Sequence, residues 1–204
     1  MINGNHFSLI LLSTNQCNAA CDYCFEDKTR DRLTLDRLQV IIGKVLDHMD
    51  EHRIDSLSIH WQGGEAMLLS PRWYRKAFDW IREAADKRGK RVEHGLQTNM
   101  LAYTPEWDSL VAEMFGNSVS TSLDYPNLYR KVRGQGPEHY DALWASKVRT
   151  ARANVAASLE NLRIVSDQYR AGIARSSDVL DAETLLAAGE AAAEPAAQQP
   201  SARR

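Results

Sequence analysis

Patterns typical of strands and of helices alternate along this chain from residue 7 to about residue 146. A continuous apolar run at residues 7–12 suits a strand that is buried on both faces. Strand patterns return at residues 56–61, 92–98 and 119–123. Because strands that alternate with helices build parallel sheets, the sequence predicts an α/β fold with about four parallel strands.

Capping residues mark where the predicted helices begin and end. Thr34 can cap a first helix whose apolar residues recur at three- and four-residue spacing. Ser70, which is followed by proline, opens a second helix that ends near Gly89. A third helix starts at Thr104 and ends at Gly116. Each of these helices lies between two predicted strands, as parallel pairing requires.

The composition changes after about residue 148, where alanine becomes frequent and strand patterns stop. Apolar residues at coiled-coil-like spacing predict a long amphipathic helix over residues 151–169. Gly172 interrupts this helix, and Ser177 or Asp178 can cap a second one that ends near Ala188. We therefore predict a core at residues 1–146, a helical segment at residues 147–188 and a disordered end at residues 189–204.

Charge and hydropathy exclude several partners. The formal net charge of −2 gives no basic excess, so we expect no nucleic-acid partner. The sequence offers no run of eighteen apolar residues and no signal-peptide pattern, so we expect no membrane span and a cytoplasmic location. A small molecule, a peptide or a protein is the expected substrate, and the helical tail could associate with itself or with another helix.

Three cysteines, Cys17, Cys21 and Cys24, follow directly after the first predicted strand in the order Cys-x3-Cys-x2-Cys. Three thiolates on one loop can hold a four-iron, four-sulfur (4Fe-4S) cluster and leave one iron open to another ligand. A structural zinc site is an alternative, but it would need a fourth ligand, such as His6 folding back. Cysteines without a metal are the other alternative.

The cysteine spacing resembles that of the radical S-adenosylmethionine (SAM) superfamily. The resemblance implies a 4Fe-4S cluster on Cys17, Cys21 and Cys24, with SAM on the open iron. It also implies an enzyme that cleaves SAM to a 5'-deoxyadenosyl radical, which takes a hydrogen atom from the substrate. Tyr23 matches the aromatic position that lies beside the adenine in this family.

A second motif, WQGGEAMLL, follows the second predicted strand and resembles the Gly-Gly-Glu-Pro motif of the same family, with Ala66 in place of proline. Gly63 and Gly64 would let the backbone approach a ligand closely. Glu65 would add an acceptor suited to an ammonium group, and the resemblance implies that this segment binds the amino group of SAM. An ordinary glycine turn is the alternative.

The ends of the third and fourth predicted strands carry two further motifs. LQTNM resembles the Gln-Thr-Asn-Gly strand end of peptide- and protein-modifying members such as sulfatase maturases, with Met100 in place of glycine. STSLDYP resembles the Ser-x-Asp-Gly-Pro motif of the same subgroup, with Tyr125 in place of glycine. The resemblance implies that SAM contacts Gln97, Asn99, Ser122 and Asp124.

An arginine for the SAM carboxylate is implied as well. Arg133, in LYRKVRG, matches the family arginine, and Arg130 is close enough to compete for this role. Either one could instead be a solvated surface charge. The sequence assigns no catalytic residue.

The resemblance covers residues 1 to about 146 and implies a partial (β/α) barrel. Radical SAM cores usually have six βα units, and peptide-modifying maturases usually add a cysteine-rich domain. This chain offers about four strands and no cysteine after Cys24. An incomplete barrel would leave apolar interior uncovered, and the truncated core could be inactive.

Residues from about 148 to 188 resemble a different family, the outer-membrane efflux proteins of the TolC type, in a stretch that includes Asp-Val-Leu-Asp-Ala. A gene fusion or an assembly junction near residues 146–150 would explain this, and a generic helix that covers the sheet is the alternative. The second functional hypothesis is therefore a non-enzymatic helical interaction segment attached to a cluster-binding remnant.

Overall fold

The computed structural model describes residues 5–116 and 118–193, and within this range it contains a four-stranded parallel sheet. The strands pair in chain order, so each helical connection crosses to a neighbouring strand. The strands are β1 (His6–Thr14), β2 (Ser56–Gly63), β3 (Arg91–Thr98) and β4 (Ser120–Thr121). The prediction of an α/β fold with four parallel strands is confirmed, although β4 is shorter than the predicted strand at residues 119–123.

Local capping explains where the first helices begin. The helices are α1 (Leu35–Glu51), α2 (Pro71–Asp86), α3 (Asp108–Met114), α4 (Pro137–Arg170) and α5 (Ser176–Ala193). The Thr34 side chain accepts a hydrogen bond from the first turn of α1, and Ser70 does the same for α2. Both predicted caps are confirmed. The backbone of Gly116, just after α3, takes a φ of 57°, which ends the helix at little steric cost.

The hydrophobic core lies between the sheet and its helices. The apolar stripes of α1 and α2 are buried against one face of the sheet, which is the arrangement that strand and helix periodicity predict. The opposite face, which we call the open face, carries side chains of β1 and β2 that remain exposed. Among them, Ile10 is 63% exposed and Leu12 is 46% exposed.

The helix α4 begins earlier than predicted and runs without interruption through residues 146–150, where we placed the boundary between core and tail. Its middle packs on the core: Ala151 is buried, and the Asn154 side-chain amide donates to the Asp108 carboxylate at 3.1 Å. The Lys147 ammonium donates to the carbonyl oxygen of Tyr103 at 3.0 Å. The division into separate domains stays a prediction, but this helix links its two parts.

The predicted interruption after α4 is confirmed, because the helix ends at Arg170 and Gly172 takes a φ of 74°. The last helix, α5, starts at Ser176 rather than at residue 179 and continues to Ala193. Residues 189–193 are therefore helical, whereas we predicted disorder, and residues 194–204 of that predicted segment lie outside the described residues. Within the described part of the chain, no helix is both long and apolar enough to cross a membrane.

Candidate cofactor site at the carboxyl ends of the strands

The cysteine loop leaves the carboxyl end of β1 and is held from two sides. The amide of Leu33 donates to the Ser13 carbonyl at 2.8 Å, which returns the loop to the strand from which it started. The amide of Ala20 donates to the Lys131 carbonyl at 2.6 Å, which ties the middle of the loop to the segment after β4. Backbone contacts of this kind fix where the three thiols lie.

A cavity of about 160 Å³ opens beside this loop. It is lined by Cys17, Cys21 and Cys24 together with Tyr23, Gly64, Asn99, Arg130 and Tyr140. Burial raises the pKa of the Cys17 thiol, and the hydrogen bond from the Ala19 amide, together with the Lys28 ammonium, opposes this rise. Parallel strands present their carboxyl ends at one edge of a sheet, and ligands of α/β proteins bind at that edge.

Gly63 and Gly64 allow the end of β2 to pass close to the cysteine loop. A Cβ atom on Gly63 would lie 2.2 Å from the Thr14 carbonyl oxygen, and one on Gly64 would lie 2.3 Å from the Gln16 carbonyl oxygen. The close approach is used for hydrogen bonding, since the Glu65 amide donates to the Gln16 carbonyl at 2.7 Å. The close contact between the two backbones therefore requires glycine at both positions. The ligand contact that we predicted for these glycines would be a second role.

The Glu65 carboxylate is buried and already accepts several hydrogen bonds from the protein. Oε1 accepts from the Met67 amide at 2.9 Å and from the Thr98 hydroxyl at 2.6 Å, while Oε2 accepts from the Asn99 amide at 2.7 Å. Burial raises the pKa of Glu65, and these hydrogen bonds oppose the rise. The carboxylate thus joins the end of β2 to the end of β3, and its predicted contact with an ammonium stays a prediction.

The end of β3 turns toward the cysteine loop. The Asn99 side-chain amide donates to the Asn18 side-chain oxygen at 2.7 Å and lies 4.0 Å from the Cys17 sulfur. Next to it, Met100 takes a φ of 65°, a region that favours glycine, which is the residue that the related motif has at this position. The Gln97 side chain contacts the residue that follows β4 instead of the cysteine loop: its amide donates to the Ser122 hydroxyl at 2.9 Å.

Asp124, which follows β4, forms a polar group with Tyr23 and Arg130. Its carboxylate accepts from the Tyr23 hydroxyl at 2.7 Å and from Arg130 Nε at 2.9 Å. The hydrogen bond from Tyr23, and then that from Arg130, lower the pKa of Asp124. Arg130 lines the cavity with a side chain that is 15% exposed, whereas Arg133 is an exposed residue outside it. Of the two predicted arginines, the fold brings Arg130 to the cysteines.

Comparison with known families decides the identity of this fold. The sequence model of the radical SAM superfamily matches residues 11–164. The chain belongs to the radical SAM superfamily. The matched range extends beyond residue 146 into α4, whereas the efflux-type resemblance of the tail finds no support in these comparisons.

Two curated relatives show how much of a longer protein the chain represents. It is 28% identical over 138 residues to an uncharacterized protein of Synechocystis, which covers 63% of this chain and 34% of that protein. It is 26% identical over 123 residues to the serine-type anaerobic sulfatase-maturating enzyme of Bacteroides thetaiotaomicron, which covers 56% of this chain and 29% of the enzyme. The chain thus spans about a third of the length of these relatives.

Solved structures with the same fold include native anSMEcpe with bound AdoMet. It has a TM-score of 0.54 and 22% sequence identity, and the match covers 72% of this chain and 45% of that one. A second structure of the same protein, with bound AdoMet and a Kp18Cys peptide, matches equally well. At this level of identity the likeness shows that the fold is that of a radical SAM core.

The residues around the cavity suit the cofactors of the radical SAM family. Three cysteines are the sulfur donors that a 4Fe-4S cluster needs, and they line a single cavity. The fold also brings Tyr140, near the start of α4, to the same cavity. Sequence patterns did not predict this residue, because it lies beyond the strand-end motifs and before the helix that we predicted over residues 151–169.

Proposed function

We propose that this chain is the cofactor-binding core of a radical SAM enzyme that modifies a peptide or a protein. The observation that carries the proposal is the cavity at the carboxyl ends of the strands, where Cys17, Cys21 and Cys24 meet residues from the later strand-end motifs. Five separate stretches of sequence line this cavity: the cysteine loop at residues 17–28, and the segments around Gly64, Asn99, Arg130 and Tyr140. A zinc site or isolated cysteines would not require the later motifs to gather at the same place.

Within this proposal the three cysteines hold the 4Fe-4S cluster and leave one iron open. When bound, the cluster and SAM supply the electron and the 5'-deoxyadenosyl radical that the family uses to remove a hydrogen atom from its substrate. The chain's own contribution is to hold the thiols through the backbone bonds of the loop and to cover the cavity with Tyr140.

We assign the SAM contacts to the predicted residues that line the cavity. Tyr23, Gly64 and Asn99 line the cavity beside the cysteines, and Arg130 replaces Arg133 as the proposed partner of the SAM carboxylate. The cavity lining does not include the remaining predicted contacts, Gly63, Glu65, Gln97, Ser122 and Asp124. Gln97 is bound to Ser122, and Asp124 is bound to Tyr23 and Arg130. We propose that these residues orient the first set.

A peptide or protein substrate is supported by the relatives. The relative from Bacteroides thetaiotaomicron and a further one from Clostridium perfringens are named anaerobic sulfatase-maturating enzymes, and one solved structure with this fold contains a peptide. The open face of the sheet would border the substrate. The cytoplasmic location and the self-association of the tail stay predictions.

The test is anaerobic reconstitution with iron and sulfide. We expect about four irons per chain and the visible absorption of thiolate-to-iron charge transfer. Replacing Cys17, Cys21 or Cys24 with alanine should abolish both signals, whereas replacing the buried Ser13, which precedes the loop, with alanine should leave the iron content unchanged. A full cluster in any one of the cysteine variants would refute the assignment of three thiolate ligands.

A further inference from the structure

The Tyr140 hydroxyl group is buried at the cavity and is unpaired in the part of the chain that the structure describes. The residue is fully buried and lies near the start of α4, where it lines the cavity together with the three cysteines. Within the described part of the chain, its Oη atom has no well-formed hydrogen bond, although the Arg130 guanidinium is near enough to act on it electrostatically. Buried hydroxyl groups almost always have a partner, so an unpaired one at a cavity wall indicates that the partner comes from a ligand.

Two other buried tyrosines have hydrogen-bond partners, whereas the buried Thr121 hydroxyl and the Trp144 indole N–H, which do not line the cavity, have none in the described part of the chain. The Tyr74 hydroxyl donates to the Ala66 carbonyl at 3.1 Å. The Tyr103 hydroxyl donates to the Asp108 carboxylate, which also accepts from Asn154. Tyr140 differs from both in lining the cavity and in having no acceptor within the described part of the chain.

The charges around Tyr140 indicate which ligand group it would meet. Arg130 lines the same cavity, and its Nε and Nη2 atoms face Asp124, so the guanidinium has further donors to offer. Burial raises the pKa of Tyr140 to about 12, while Arg130 opposes the rise, so the phenol is a neutral donor at physiological pH. The Lys28 ammonium, also at the cavity, is engaged by the Ala19 carbonyl at 2.7 Å. A cationic donor beside a neutral donor suits an anionic oxygen.

We propose that the Tyr140 hydroxyl and Arg130 together form a carboxylate-binding pair, and that Tyr140 donates a hydrogen bond to the carboxylate of the SAM methionine group. The inference rests on the proposed function, since it assumes that SAM occupies this cavity. It adds to the cofactor site a residue from α4, outside the strand-end motifs.

The test compares two tyrosine-to-phenylalanine variants of the reconstituted protein. In Tyr140→Phe the unpaired hydroxyl is removed, so the melting temperature of the ligand-free protein should stay the same or rise, while SAM affinity measured by calorimetry should fall about tenfold or more. In Tyr103→Phe a paired hydroxyl is removed, so the melting temperature should fall while SAM affinity stays unchanged. This contrast between the two variants would distinguish a contact with the ligand from a purely structural role.

Decarboxylated SAM identifies the group that Tyr140 recognises. This probe lacks the carboxylate, so we expect Tyr140→Phe to bind it as well as the wild type does. An equal loss for both ligands would overturn the carboxylate assignment, and SAM affinity at the wild-type level in Tyr140→Phe would overturn the inference entirely. Absence of SAM binding by the wild type, with four irons bound, would refute the proposed function and this inference with it.

Discussion

His94 is a single residue whose surroundings predict how stability changes with pH. It lies on the helix-covered face of β3, where the Trp61 indole N–H donates to its Nδ1 atom at 3.1 Å. Burial lowers the pKa of His94 to about 4 from an ordinary value of 6.5. Protonation would in addition place a hydrogen on Nδ1, so that two N–H donors, those of His94 and Trp61, would face each other. The unfolded chain therefore takes up this proton at higher pH than the folded protein, so stability falls as the pH falls from 6.5 to 4.

We expect this single group to lower the free energy of unfolding by about 3 kcal/mol over that pH range. His94→Gln keeps an acceptor for the Trp61 indole but cannot take up a proton in this range. Urea titrations of the variant should therefore show a smaller acid loss than those of the wild type. His60→Gln, on the open face of β2, is the matched control, and an identical acid loss in the wild type and His94→Gln would contradict the argument.

The sequence could predict a site residue only when that residue belongs to a recognisable motif. The cysteines and Asn99 lie at strand ends, and alternation of strand and helix is enough to bring such ends together. The choice of Arg130 over Arg133 could not be made, because both lie in an irregular segment whose course depends on tertiary contacts such as the ion pair to Asp124. Tyr140 could not be found at all, since a tyrosine in a helix carries no signal of what it faces.

Among the elements, those with local signals were predicted well. Thr34 and Ser70 cap their helices through hydrogen bonds that span only three residues, so the sequence alone determines them. The length of β4 depends instead on pairing with β3 at Gln97 and Thr98. The course of α4 depends on packing as well, because a change in composition near residue 148 does not end a helix when both sides of it favour helix.

Ala151, in the middle of α4, tests whether this helix belongs to the core. It is buried with the core residues, so Ala151→Leu should overpack the contact and lower the free energy of unfolding by about 1–3 kcal/mol. Ala153→Leu makes the same chemical change at an exposed position of the same helix, and it should change stability by less than about 0.5 kcal/mol. Urea unfolding followed by circular dichroism measures both.

The shape of the unfolding transition shows whether α4 and the sheet unfold as one unit. If α4 and the sheet unfold together, Ala151→Leu should shift one cooperative transition at every wavelength. A transition that splits, with the sheet unaffected, would instead support the division into separate domains near residue 146.

At the scale of the whole molecule, the sheet is covered on one side and exposed on the other. Trp61 and Leu96 are buried under the helices, while Ile10 and Leu12 are exposed on the open face, where their register partners are His60 and Gln62. In a closed barrel this face would line the interior. Its mixture of apolar and polar side chains suits a cavity wall more than a surface that faces bulk water.

This open face should be detectable with a dye. We expect the natively folded protein to bind 1-anilinonaphthalene-8-sulfonate, and the double variant Ile10→Ser, Leu12→Ser to lose most of the fluorescence, because it removes the exposed apolar atoms of β1. Val40→Ser, which removes an exposed apolar group from α1, is the control and should keep the signal. Equal fluorescence of the double variant and the wild type would mean that the dye binds elsewhere, so that the open face is not the main apolar surface of the folded chain.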